Sequence, residues 1–176
     1  ISQMPGETGV IIAGDDHSGE SSTVVHASDI ALTDAMIPVL SPAGVQEIID
    51  FGLIGFDLSR YAGVWVGLKC VHDTVESSAV VEAGSDRIAT VTPRDHKLPP
   101  DGLHIRPSDD RVPQEERLHV HKMPAVLAFT RANGINRIVM QGGKAPKLGI
   151  VAPGKSYLDV RQALDDLGID EMQASK

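Results

Sequence analysis

Aromatic side chains are scarce, at 3% of the chain: Phe51, Phe56, Tyr61, Trp65, Phe129 and Tyr157. A core must therefore be built from Val, Ile, Leu and Ala, a palette that suits buried parallel strands covered by helices. Cysteine is nearly absent. Cys70 stands alone, which excludes an internal disulfide and a cysteine-built metal site and points to the cytoplasm. No run of Lys or Arg relieves the net charge of −8, so nucleic acid and anionic membrane surfaces are excluded as partners on charge. No apolar stretch approaches the roughly 20 residues needed to cross a bilayer. There is no initiator Met and no signal-peptide pattern; the chain opens Ile1-Ser2-Gln3 and enters an apolar run almost at once. It closes at Ala174-Ser175-Lys176, directly behind a helical pattern. Both ends read as cuts, and the expectation is an internal piece of a longer chain, with a complete small protein freed of a tag as the alternative.

What is present is an ordinary globular balance, 41% hydrophobic and 23% charged in 176 residues, enough for one domain or two incomplete ones. Gly9 to Ala13 is a β-branched run that reads as a buried strand, followed by a polar loop over 14–23. Helical spacing predicts a helix over 24–35, and Ile37 to Leu40 a short strand that Pro38 confines to an edge or bulge. Ser41 and Pro42 suit a helix start, with Val45, Ile48, Ile49 and Leu53 as its apolar face to about Arg60. Val64 to Val71 is the third strand, and strand–helix alternation implies a parallel sheet. After Val81 short charged pieces broken by Gly84, Pro93, Pro99, Pro100 and Gly102 read as a linker over 82–112. A helix follows over 113–133, with Pro124 as a kink and Gly134 as its stop. Ile138 to Met140 is a further short strand or the end of that turn. Lys147 to Ala152 reads as another buried strand, Pro153-Gly154-Lys155 as a turn, and Ser156 as the cap of a helix over 157–167 that Gly168 ends.

The densest chemistry lies in Gly14-Asp15-Asp16-His17-Ser18-Gly19-Glu20-Ser21-Ser22. Behind a buried strand and ahead of a helix, this stretch falls at the carboxyl edge of a parallel sheet, where such sheets bind ligands. Two carboxylates, an imidazole and hydroxyls gathered there suit proton work near neutral pH. The plainer alternative is a solvated loop whose Asp and Ser side chains satisfy its own backbone N–H groups. Other motifs carry less. Gly154-Lys155-Ser156 lacks the loop glycine of a phosphate-binding turn and reads as a helix cap. His119 and His121 fall two apart on a helix and diverge, while His26, His72, His96 and His104 have no telling spacing. Trp65 and Cys70 point to opposite faces of their strand, as packing residues.

The loop at 14–23 is similar to the one that follows an apolar strand in indolepyruvate-type ferredoxin oxidoreductases, which depend on thiamine diphosphate. Met36-Ile37-Pro38-Val39-Leu40-Ser41-Pro42-Ala43 with Val45-Gln46-Glu47-Ile48 resembles the next strand and helix of that enzyme. Asp57-Leu58-Ser59-Arg60-Tyr61, Trp65-Val66-Gly67 and Asp73-Thr74-Val75-Glu76-Ser77-Ser78 resemble its long, fused bacterial form. Residues 147–152 and the helix behind them resemble the start of a transketolase C-terminal-like domain. The resemblance implies an α/β fold: the later part of a pyrimidine-binding-type domain at 1–81, a linker at 82–112, and the start of the transketolase C-terminal-like domain at 113–176. It also implies oxidative decarboxylation of indolepyruvate or a related aryl 2-oxoacid, with coenzyme A accepting the acyl group and ferredoxin the electrons. Thiamine diphosphate, Mg2+ and iron–sulfur clusters would serve the full-length enzyme, a homodimer whose remaining domains are the partners of this piece. The chain has no Gly-Asp-Gly element and no cysteine cluster, so none of these groups is expected on it and the isolated chain is expected to be inactive. The resemblance places Asp16, His17, Ser21 and Ser22 in the substrate or cofactor pocket. A small non-enzymatic α/β module that binds a ligand or partner is the alternative.

Overall fold

The computed structural model describes residues 7–20, 22–84 and 86–174. Three parallel strands form its sheet: β1 (Val10–Asp15), β2 (Val39–Leu40) and β3 (Val66–Val71). Their order is β1-β3-β2, with Val10 opposite Val66 and Val39 opposite Gly67. The most buried strand, β3, takes the centre, where both faces are covered. Pro38 lacks an N–H but its carbonyl accepts from Gly67 at 2.8 Å, which suits the edge position expected of the segment it opens.

Alternation along β3 decides what covers each face. On one side α2 (Val45–Ala62) lays Gly55 against Val10, Leu40 and Val66. On the other, Leu32 of α1 (Asp29–Asp34) comes so close to Gly67 that a β-carbon there would sit 3.0 Å from it. The expected helix over 24–35 is thus cut to its last turn and a half. Residues 22–28 are instead drawn back over the strand end by polar contacts. Ser41 and Pro42 do not open α2 either. Gly44 is its N-cap, and Glu47 reaches back to accept from the Ala43 N–H at 2.7 Å. At the far end Gly63 adopts φ 66° and its N–H donates to Ser59 O.

Behind β3 comes the single turn α3 (His72–Val75). Among its described residues the stretch over 77–110 has no helix or strand, yet it is fastened to α2. Gln46 exchanges two hydrogen bonds with the Glu82 backbone, Arg87 pairs with Asp50, and Thr90 donates to Asp57. Leu103 enters the core with Leu58, Val64, Val126 and Phe129. The expected helix over 113–133 forms as α4 (Arg111–Glu116), a π-helical turn over Arg117–Lys122, and α5 (Met123–Ala132). The irregular turn falls directly before Pro124, the residue expected to kink it. Gly134 has φ 58° at the stop.

Of the two readings of 138–140, the short strand is absent, which leaves the end of the turn. One expectation fails outright: residues 147–152 form no strand, and Leu148 and Val151 are 78% and 97% exposed. An apolar run becomes a strand only where a neighbour accepts its ladder, and none stands beside this one among the described residues. The helix behind it does form, as α6 (Lys155–Asp166), starting two residues earlier than expected and with Gly154 rather than Ser156 at its N-cap. A last turn, α7, spans Glu171–Ala174. Among the described residues no helix is long and apolar enough to cross a membrane.

Candidate functional site

Asp15 ends β1 and Asp16 follows it, both buried at the carboxyl edge of the sheet. Their oxygens are used differently. Asp16 folds the loop. Its Oδ1 accepts from the N–H of Gly19 at 2.9 Å and of Glu20 at 3.0 Å, and its Oδ2 from the N–H of Ser22 at 2.7 Å. The His26 N–H closes the loop onto Asp16 O at 3.1 Å. Ser22 Oγ donates to Val24 O at 2.7 Å. His17 is exposed on the loop, and Ser21 lies outside the described residues.

Asp15 gathers side chains instead. Ser28 donates from its N–H, at 2.9 Å to each oxygen, and from its hydroxyl at 2.6 Å to Oδ1. His26 Nδ1 lies 3.2 Å from the same Oδ1, and Lys69 Nζ 3.7 Å from Oδ2. Burial by itself raises the Asp15 pKa, but the bonds from Ser28 and His26 and the charge of Lys69 outweigh it and hold the carboxyl below its ordinary range. Lys69, on the central strand, also pairs with Asp29.

His72 stands at the end of β3, its Nε2 3.6 Å from Glu20. Between the two strand ends opens a cleft of about 410 Å³. Its polar lining includes Asp15, His26 and His72; Val24, Val75 and the buried Cys70 supply apolar surface. Burial raises the Cys70 thiol pKa, so it is an uncharged wall at neutral pH. A pocket at this edge is where open parallel sheets receive ligands.

His26, Ser28, Lys69 and His72 carry no signal in the one-dimensional pattern. Their convergence follows from parallel pairing, which sets Asp15 opposite Val71 and Gly14 opposite Cys70. Trp65 lies just ahead of β3 and is 40% exposed, whereas Cys70 on the strand is buried. His119 is half exposed and 3.9 Å from Glu115, an ordinary surface pairing.

Ligand groups of Asp15, His17 and Asp29 lie within 4.8 Å of one another. Lys69 already supplies a cation to both carboxylates there. The set therefore does not fit a magnesium–diphosphate group, and one buried cysteine does not fit an iron–sulfur cluster.

Residues 138–176 match the family described as the indolepyruvate oxidoreductase domain. Over 161 residues the chain is 29% identical to an indolepyruvate oxidoreductase subunit IorA of Methanothermobacter marburgensis and 30% identical to that of Methanothermobacter thermautotrophicus, covering 92% of this chain and 25% of each relative. The Pyrococcus abyssi subunit of the same name is 28% identical over 177 residues, 95% of this chain and 26% of the relative. The chain thus spans about a quarter of the length of these curated relatives. No solved structure matches it. The resemblance carried by the loop and its flanking elements is borne out.

Proposed function

We propose, from this kinship with indolepyruvate oxidoreductase subunits, that the chain serves in the oxidative decarboxylation of indolepyruvate or a related aryl 2-oxoacid to its acyl-coenzyme A, with ferredoxin as the electron acceptor. The observation that carries the reading is similarity over nine-tenths of the chain to one kind of subunit. The carboxyl-edge cleft, with imidazoles beside apolar walls, supports it chemically. Residues 1–81 act as the later part of a pyrimidine-binding-type domain, 82–112 as the linker, and 113–176 as the opening of a transketolase C-terminal-like domain. Thiamine diphosphate, when bound by the rest of the enzyme, supplies the carbanion chemistry.

The chain's own residues position the substrate. Asp16 shapes the loop through three backbone bonds, and the loop then presents His17 and Ser22 to the 2-oxoacid or to the thiazolium end of the cofactor; the resemblance adds Ser21 to this set. His17 donates a hydrogen bond when neutral and pairs with the substrate carboxylate when protonated. The test is His17→Ala in the long enzyme, assayed by indolepyruvate-dependent reduction of ferredoxin. Turnover should fall by roughly 10²–10⁴-fold, with little loss of stability because His17 is exposed. Normal turnover and substrate affinity in that variant would return the loop to a purely structural role. The isolated chain should show no Mg-dependent binding of thiamine diphosphate by calorimetry; micromolar binding would overturn the assignment of that cofactor to other parts of the enzyme.

A further inference from the structure

The arrangement around Asp15 fixes the state of His26. A carboxylate only accepts hydrogen bonds, and Asp15 is held ionised by Ser28, His26 and Lys69 against the effect of burial. The His26 nitrogen 3.2 Å from it is Nδ1, so Nδ1 carries the ring proton. The rest of Asp15 is engaged by Ser28 and Lys69, which leaves the buried carboxylate anchored from three sides. The backbone of His26 is pinned as well, through its bond to Asp16 O. In the neutral ring Nε2 is then a lone pair with no hydrogen. His26 lines the cleft and its side chain is 64% exposed, beside the exposed apolar surfaces of Val24 and Val75.

We propose that His26 is a specificity residue of this cleft: its Nε2 accepts a hydrogen bond from the N–H of a flat aromatic ligand whose ring rests on Val24 and Val75. The ligand class is an indole or a similar N–H heteroaromatic. Glu76 lines the cleft and Glu20 stands 3.6 Å from His72; these carboxylates disfavour an anionic end at this point, so His26 reads the ring and not a carboxylate. Asp15 is the positioning residue that holds the acceptor tautomer. This assignment rests on the reading of the cleft as the aryl 2-oxoacid site and names the part of the substrate that His26 distinguishes.

The test uses the long enzyme, in which this chain is a segment, with nitrogen-labelled histidine. Long-range proton–nitrogen NMR should show His26 with its proton on Nδ1. Titration with indole should move the Nε2 resonance, and indole should bind roughly 3- to 10-fold more tightly than 1-methylindole, the range a single net hydrogen bond supplies. Benzoate should bind more weakly than indole. His26→Ala should erase the preference for indole over 1-methylindole. His26→Asn should erase it too while its amide N–H still serves Asp15, which keeps the loop anchored if the alanine variant loosens it. A proton on Nε2, equal binding of the two indoles, or a preference that survives both variants would overturn the proposal. The broader reading is tested apart from this. If the chain discriminates the indoles through His26 but His26→Asn leaves the long enzyme with unaltered indolepyruvate kinetics, the cleft binds N–H aromatics and is not the oxoacid site.

Discussion

Asp16 and Lys122 show how a buried charge is matched differently at two places. Asp16 meets three N–H groups of its own loop, each donating to its carboxylate. Asp16→Ala should cost about 1–2 kcal/mol, since three donors revert to water or go unpaired. Amide exchange at Gly19, Glu20 and Ser22 should speed up while that of β3 stays slow. Unchanged exchange at those three amides would show that the carboxylate is not what folds the loop. Lys122 is fully buried, and its ammonium donates to Gly63 O at 3.0 Å. Burial, with Arg117 adding repulsion, brings its pKa down from 10.5 to about 8. Between those values the unfolded chain holds the proton and the folded chain has released it. Stability from this residue therefore rises as pH climbs through about 8 and levels off above 10.5. The full gain is on the order of 3 kcal/mol. Tyr61 and Cys70, whose pKa values burial raises, act in the opposite direction at high pH. The informative quantity is thus the difference between wild type and Lys122→Met in denaturant midpoint from pH 7 to 10. That difference should change steadily in favour of the wild type as pH rises; a constant difference would show that Lys122 titrates normally.

At the scale of elements, Gly63 joins α2 to β3 with φ 66°, and a β-carbon there would lie 3.1 Å from the Leu103 carbonyl oxygen. Gly63→Ala should therefore cost about 2 kcal/mol or more, from left-handed strain and the contact together. A melting temperature within a degree or two of wild type would contradict this. The expected end of the helix at about Arg60 lies two residues short of Ala62, although Gly52 and Gly55 are as prominent in the sequence as Gly63. Elsewhere local signals were sufficient. The apolar runs read as strands at 9–13 and 64–71 form β1 and β3, with β1 reaching two residues into the expected loop and β3 starting two residues later. Val24 and Val25 carry helical spacing but remain outside a helix, since Asp15 and Asp16 draw residues 22–28 into their own hydrogen bonds. Of the candidate site, the loop and its two carboxylates were legible. Lys69 and His72 were not, because they arrive from β3 and its end, more than 40 residues away in the chain.

On the scale of the whole molecule, the stretch between β3 and α4 is a strap that binds the sheet's helix to α5. Asn133 brackets Val91, accepting from its N–H at 2.7 Å and donating to its carbonyl at 3.0 Å, while Leu103 fills the core between Val64 and Phe129. Leu103→Ala should cost about 2–5 kcal/mol, as deleting a buried Leu side chain does. The apolar run over 147–152 presents the opposite case. Leu148, Ile150 and Val151 are as apolar as the core residues, yet they are exposed, and among the described residues no backbone hydrogen bond is donated from 136–153. Burial, and not side-chain type, determines what a substitution costs. Val151→Asp should therefore leave the unfolding midpoint of this chain within about 0.5 kcal/mol of wild type. Hydrogen exchange should separate the same regions, with the amides over 138–152 exchanging fast and those of Gly67 and Leu68 protected to the limit of global unfolding. Slow exchange across 147–152, or a loss of several kcal/mol in Val151→Asp, would mean that the run is paired in solution, as its sequence alone had suggested.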